Sequence, residues 1–222
     1  MIPVITIDGP SGAGKGTVAR LVAEKLGYSL LDSGALYRLT ALSAQREGVD
    51  LDDEAAVGRV AAELNVSFRL ESERVVTLLA GDDVSNLIRT EAVGMAASKI
   101  AAYGPVRAGL LACQRRFQQL PGLVADGRDM GSKVFPGALV KVFLTATSEE
   151  RAQRRVLQLA EKGEQADFAT VLADIEARDR ADRERKESPL VAAADAVHID
   201  STALTIEEVV LKVVALAREA GA

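Results

Sequence analysis

The sequence predicts an α/β fold: a parallel sheet flanked by helices, with a small antiparallel β insertion and a short lid. Three observations predict it. Short β-rich apolar runs alternate with stretches of helical periodicity along most of the chain, which is the pattern of parallel strands joined by crossover helices. The first such run opens into a glycine-rich turn and then a helix. One stretch, residues 66–79, breaks the rhythm: Val66, Phe68 and Leu70 alternate with polar residues, and a polar turn and a second β-rich run follow.

The elements follow in order. Val4-Ile5-Thr6-Ile7 is β-rich. Beyond the glycine-rich turn, Val18, Leu21, Val22 and Leu26 recur at helical spacing, and Gly27 is placed to end the helix. Residues 28–31 form a second strand. A helix beginning near Gly34 carries Leu36, Leu39 and Leu42. Val66, Phe68 and Leu70 alternate with polar residues. A polar turn, a second strand over 75–79 and another turn at Gly81-Asp82-Asp83 complete the antiparallel insertion. A helix starts near Thr90. Residues 123–125, 139–144 and 196–199 read as buried parallel strands, and helices start at Pro105, Ser148, Asp167 and Thr205. Thr205 with Glu208 makes a capping box. The charged stretch 151–165, containing Gly163, reads as a mobile lid or as a solvated helix and loop. There is no internal repeat and no low-complexity tract.

Composition excludes several classes. The 222 residues carry 27 basic and 32 acidic side chains, a net charge of −5, so broad nucleic-acid binding, which needs a basic face, is not expected. A local arginine cluster remains compatible with that balance. Cys113 is the single cysteine; no intrachain disulfide can form, as fits a reducing compartment. The first residues lack the basic region of a signal peptide, and no apolar run reaches the length of a membrane span. The expectation is a cytoplasmic monomer without nucleic-acid or membrane partners. His198 is the single histidine, which rules out a multi-histidine metal site and is expected as a partly buried strand residue.

The strongest motif is Gly9-Pro10-Ser11-Gly12-Ala13-Gly14-Lys15-Gly16-Thr17, between a strand and a helix. Glycines let backbone N–H groups turn toward phosphate oxygens. The helix beginning near Lys15 presents free N–H groups and its positive end to an anion, and Lys15 can neutralise charge on β- and γ-phosphates. The motif departs from the commonest phosphate-binding loop in one respect. Gly16 stands where Ser or Thr would hold Mg²⁺, and Thr17 comes next, so no metal ligand is assigned outright. Thr17 and Asp126 are the candidates, directly or through water.

A second signal is a charged stripe. In the helix from Asp167, Phe168, Val171 and Ile175 form an apolar side that continues into Arg178, Asp182 and Arg185. Such a stripe is either leaving the core or lining a polar cleft. Arg38, Arg107, Arg128, Arg151, Arg154 and Arg155 fall near element ends or in the lid stretch, where a site closing on phosphorylated substrates would collect bidentate donors. Asp126-Gly127-Arg128-Asp129-Met130-Gly131 follows a strand, and ligands in α/β sheets sit beyond the carboxyl ends of strands. Arg128 and Asp129 offer a phosphate donor and a base or sugar acceptor; a structural turn with an internal ion pair is the alternative.

With these segments in view the chain closely resembles the bacterial cytidylate kinases over nearly its whole length. The likeness rests on 5–17, Leu31-Asp-Ser-Gly-Ala-Leu-Tyr-Arg38, Ile88-Arg-Thr90, 120–131, Ser148-Glu-Glu-Arg151 and Asp200-Ser-Thr202. It implies a nucleoside monophosphate kinase with a core over about 1–38, 105–150 and 190–222, an acceptor-binding region over about 39–104, a lid over about 151–166 and an acceptor-lining helix over about 167–187. It implies ATP with Mg²⁺ as donor, and CMP and dCMP as acceptors. Residues 9–17 would hold ATP, with Lys15, Arg128 and Arg154 acting in transfer. Ser33, Arg38 and Arg128 would orient the acceptor and its phosphate. Ser98, Arg107 and Asp129 would read cytosine, Arg178 and Asp182 would hold the ribose, and Arg185 would support the acceptor region.

Two other classes compete. A GTP-type switch would carry an Asn-Lys-x-Asp guanine motif, which the sequence lacks. A polynucleotide-dependent ATPase is disfavoured by the acidic balance. Within the kinases, the runner-up acceptor is another small molecule such as UMP.

Overall fold

The computed structural model describes residues 2–71, 74–161 and 163–222, and of 68–71, 74 and 75 it describes the backbone. Strand β1, Val4–Asp8, is buried along its whole length and has a strand on each side. The sheet order is β2 (Ser29–Asp32), β6 (Leu123–Gly127), β1, β7 (Val140–Thr145), β8 (Val197–Asp200). Pairing of β1 with β6, with β7 and of β7 with β8 is parallel. Helices α1 (Lys15–Leu26) and α8 (Ile206–Glu219) cover the centre. Ile5, Ile7, Val18, Val22, Val142, Leu144, Val209 and Val213 form its packed core. Burying each such side chain is worth about 1.5–3 kcal/mol.

The chain divides into two compact units, 1–31 with 117–222, and 32–116. The larger holds the parallel sheet, α1, α8, α6 (Ser148–Glu161) and α7 (Phe168–Glu184). The smaller holds α2 (Ser33–Arg46), α3 (Glu54–Ala62), α4 (Glu91–Ile100), α5 (Gly104–Arg115) and an antiparallel sheet of β3 (Val66–Glu71), β4 (Arg74–Leu79) and β5 (Asp82–Asp83).

The α/β architecture and the antiparallel insertion are as expected, and so is the capping box of α8. Four details differ. The expected turn at 81–83 is really Ala80-Gly81, whose positive φ values of 51° and 96° make a two-residue hairpin of the primed type. Asp82 and Asp83 then pair with Leu79 and Leu78. Helix α3 has no counterpart in the sequence reading. Its signals were Asp53, which caps Ala56 N–H at 2.9 Å, and apolar Val57, Val60 and Ala61 on one side. The strand 196–199, read as buried, is an edge strand with only Ile199 buried, because it has a neighbour on one side alone. His198 is therefore exposed, its ring 5.4 Å from that of Phe143. The polar turn at 72–73 and the alternation of Phe68 and Leu70 lie outside the described residues and side chains.

Close approach of α3 and α5 sets the smaller unit. A Cβ added at Gly109 would lie 2.8 Å from Ala62 N and 2.9 Å from the Gly58 carbonyl oxygen. Both are backbone atoms and cannot rotate away. Gly109→Ala gains up to about 1 kcal/mol of helix propensity against an overpacking cost of about 1–3 kcal/mol. The expected result is a lower urea midpoint by circular dichroism, with an unchanged or higher midpoint counting against this packing.

Candidate active site

The phosphate-binding loop is held from below. Gly9 sits at φ 151°, and a Cβ there would fall 2.0 Å from the Leu144 carbonyl oxygen of β7. No side chain fits, so the loop leaves the sheet pressed against its neighbour strand. Gly14, at φ 87°, turns the chain into α1, whose first N–H groups face outward as an anion site. Lys15 is buried, and its Nζ donates to the Pro10 carbonyl at 2.8 Å, folding the side chain over the loop. Burial first, then the positive charge of Arg128, push its amine down to about 7, against the pull of the Asp126, Asp8 and Asp182 carboxylates.

Strand β6 ends beside β1, with Asp8 opposite Gly127, so the segment 126–131 leaves the sheet next to the phosphate loop. Asp8 joins the two. Its Oδ1 and Oδ2 accept Met130 N–H and Gly131 N–H, each at 2.8 Å. Burial raises its carboxyl to about 6, although the two amides pull it back down. Asp126 and Asp129 are also buried. The Asp126 Oδ2 stands 3.2 Å from where a Cβ on Gly16 would be, so any residue other than glycine there would have to push that carboxylate aside. Glycine at this position leaves the acid room to pack against the first turn of α1.

Arg128 Nε donates to Asp182 Oδ2 at 2.8 Å, which brings α7 to the end of β6. Arg185 Nη1 lies 3.4 Å from Asp182 Oδ1, and its Nε donates to the Ser188 carbonyl at 2.6 Å. One turn back on α7, Asp179 is buried and forms a two-bond ion pair with Arg151 of α6, at 3.0 and 2.6 Å. Arg154 binds Glu150 at 2.9 Å and the Ser201 carbonyl at 2.7 Å. Residues 151–161 of the expected lid continue α6 as helix; Lys162 lies outside the described residues.

In the smaller unit Ser33 is buried at the first turn of α2. Arg38 Nη1 donates to the Ile88 carbonyl at 2.8 Å, and Gly94 makes room for it, since a Cβ there would lie 2.9 Å from Nη1. The Arg107 guanidinium lies 5.6 Å from the centre of the Tyr37 ring and donates to the Ala101 carbonyl at 2.8 Å. Ser98 is exposed on α4.

A buried lysine under a helix N-terminus, beside two acids and an arginine at adjacent strand ends, is a phosphate-handling arrangement. The family model described as cytidylate kinase matches residues 5–219. The chain belongs to the cytidylate kinase family. A cytidylate kinase of Aeromonas salmonicida (strain A449) is 58% identical over 99% of this chain and 95% of its own length. One of Pectobacterium carotovorum is 53% identical over 99% and 97%, and one of Pseudomonas putida 54% identical over 96% and 94%. Among solved structures, a gluconokinase from Sinorhizobium meliloti 1021 aligns over 98% of this chain and 93% of its own, at 20% identity and a TM-score of 0.49.

Within this family frame, the larger unit brings together Lys15, Asp126, Arg128, Asp129, Asp182 and Arg185. The smaller unit gathers Arg38 and Arg107 with Tyr37 on and around α2. The sequence reading missed three participants. Asp8 is the one acid in an otherwise uncharged, buried strand, just before the glycine loop, and that position was its signal. Tyr37 adjoins Arg38 in sequence. Asp179 lies four residues after buried Ile175, whereas the expected stripe ran three residues on to Arg178. The stripe needs correcting at its start as well: Phe168 is 39% exposed, and the buried side of α7 runs Ile175 to Asp179.

The Asp8 carboxyl holds its proton more tightly in the fold, at about 6, than its ordinary 3.8. Its contribution to stability is complete below about pH 4 and is lost as pH rises through about 6. Wild type is therefore expected to lose stability relative to Asp8→Asn over that window, by about 3 kcal/mol at about 1.4 kcal/mol per pKa unit. Urea unfolding of both proteins across it checks this; a constant difference would contradict the burial account.

Proposed function

We propose that this chain transfers the γ-phosphoryl group of ATP to CMP, and to dCMP as well, releasing ADP and the corresponding diphosphate. The observation that carries the reading is the meeting of Lys15, Asp126, Arg128 and Asp129 at the ends of β1 and β6 in a member of the cytidylate kinase family.

The acceptor is already an oxyanion, so transfer needs placement and charge neutralisation rather than a strong base. Backbone N–H groups of 9–17 cradle the donor phosphates. Burial, then the positive charge of Arg128, lower the Lys15 amine to about 7; triphosphate charge beside it holds its proton and lets it bridge to the γ-phosphate. Arg128 exchanges part of its bond with Asp182 for the acceptor phosphate, and Arg154 acts with it in transfer. Ser33 and Arg38 are assigned to the acceptor phosphate, Ser98, Arg107 and Asp129 to cytosine, Arg178 and Asp182 to the ribose, and Arg185 to support of this helix end. Closure of 151–166 as a lid excludes water, which would otherwise hydrolyse ATP.

The residues suit a divalent cation held mostly by phosphates and water. Among the described residues no cluster of three or more His, Cys, Asp or Glu could hold a metal alone, whereas Asp126 sets one hard oxygen against the first turn of α1. Thr17 or Asp126 would hold Mg²⁺, directly or through water. Mg²⁺ supplies neutralisation of charge on the transferring phosphate. No helix of the described residues is long and apolar enough to cross a membrane. We place the protein in the cytoplasm as a monomer without nucleic-acid partners.

A panel of nucleoside monophosphates with Mg-ATP tests the reading, CMP and dCMP being the fast acceptors. Lys15→Ala should lower kcat at least roughly a hundredfold, the scale for one preorganised electrostatic group, with circular dichroism unchanged. A folded variant within a few-fold of wild type would remove Lys15 from the chemistry.

Base choice follows from donors and acceptors. Cytosine presents an N4 amino donor, where uracil presents an oxygen, and a carboxylate only accepts. With Asp129 at that edge, UMP sets oxygen against carboxylate, at about 1–3 kcal/mol or more. We expect kcat/KM to favour CMP over UMP by at least roughly a hundredfold, and Asp129→Ala to cut CMP activity and shrink the ratio. Loss of activity with the full ratio kept would reassign Asp129 to holding its loop.

A further inference from the structure

Arg151 and Asp179 have no assigned task in the reaction, yet they are among the most buried charges in the larger unit, with side chains 3% and 5% exposed. The arginine is used in three directions. Its Nη1 donates to Asp179 Oδ1 at 3.0 Å and to the Ser11 carbonyl of the phosphate loop at 2.9 Å. Its Nη2 donates to Asp179 Oδ2 at 2.6 Å. Its Nε donates to the Ala146 carbonyl at 3.0 Å, in the turn between β7 and α6. Gly12 packs on the same side chain, since a Cβ there would lie 3.2 Å from Arg151 Cβ.

A buried ion pair is a poor way to gain stability alone. Desolvating two charges offsets their attraction, and a well-packed apolar pair of similar volume holds helices about as well. What an apolar pair cannot do is bond a loop carbonyl and a carboxylate from one rigid planar group. Lysine cannot either, because its donors radiate from one point. The helix so tied is the one carrying Arg178 and Asp182, and Asp182 in turn holds Arg128 at 2.8 Å. Asp8 then ties the 130–131 amides back to the strand from which the phosphate loop springs. The Arg151–Asp179 pair thus completes a circuit of bonds around the loop.

We propose that Arg151 and Asp179 are positioning residues for phosphoryl transfer: the pair fixes the phosphate loop, through the Ser11 carbonyl, against the helix that carries Arg178 and Asp182. Neither residue is given contact with a reacting atom. In-line transfer tolerates little misplacement of the donor relative to the acceptor, and an error near 1 Å costs on the order of a hundredfold. The inference rests on the proposed phosphoryl transfer to CMP. Wild-type CMP kinase activity tests that reading separately.

The experiment compares wild type with Asp179→Asn, Arg151→Lys and the apolar double variant Arg151→Met/Asp179→Leu. Each is measured for kcat, for KM of ATP and of CMP, for ATP hydrolysis relative to transfer, and for urea stability. The expected result is a kcat lower by roughly tenfold or more, with both KM values within about threefold. ATP hydrolysis per transfer should rise, because a donor loop out of register lets water compete. The double variant should keep near wild-type stability and still be slow. A stable double variant with wild-type kcat overturns the proposal. So does a loss of kcat that merely follows the loss of stability across the three variants, because that would make the pair a structural tie. An inactive wild type would instead overturn the CMP reading itself.

Discussion

One carboxylate organises the larger unit. Asp8 stands at the end of β1, and its two oxygens each accept a backbone N–H of the segment that follows β6. Parallel pairing of β1 and β6 brings both segments out of the sheet together; the carboxylate then fixes the second against the base of the first. Arg128 and Asp129 owe their place beside the phosphate loop to it. The bond is made at a cost, since burial raises the carboxyl to about 6. Two charge-assisted hydrogen bonds are what keep the anion there near neutral pH.

The same economy of charge runs through the site. Lys15 is buried next to Arg128, with three acids pulling against burial and like charge. A phosphate anion beside Lys15 would favour its charged form against that burial and like charge, which is what a site for phosphorylated substrates requires. Its arginines are held, not free. Arg128 is bonded to Asp182, Arg151 to Asp179 and Arg154 to Ser201. Preorganised donors lose little freedom when an oxyanion arrives, so more of their attraction is available to the transition state.

Close contacts explain several residues that chemistry alone does not. Gly9 is required by the Leu144 carbonyl, a backbone atom 2.0 Å from where a Cβ would be. At Gly16 and Gly94 the contacts are with side chains, the Asp126 carboxylate at 3.2 Å and the Arg38 guanidinium at 2.9 Å, which a Cβ would displace. In the smaller unit the same device lets α3 and α5 approach at Gly58 and Gly109.

By itself the sequence determined what is encoded in contiguous stretches. The strand–loop–helix of 4–26, the alternating insertion and the capping box of α8 each depend on neighbours a few residues apart, and periodicity and spacing carry that information. The motifs 9–17 and 126–131 were legible for the same reason. Helix α3 was missed although its cap was present, because its nine residues are mostly alanine, valine and glycine and give a weak periodic signal. Only the tertiary structure decided how distant segments meet. Nothing in the local pattern pairs Arg151 with Asp179 and Ser11, Arg128 with Asp182, or Asp8 with the amides of 130 and 131. Which side of α7 is buried was also settled by packing, which turned Phe168 outward and Asp179 inward. A hydrogen bond between residues far apart in the chain has no period and no spacing; its partners are fixed by how the sheet and helices close on one another.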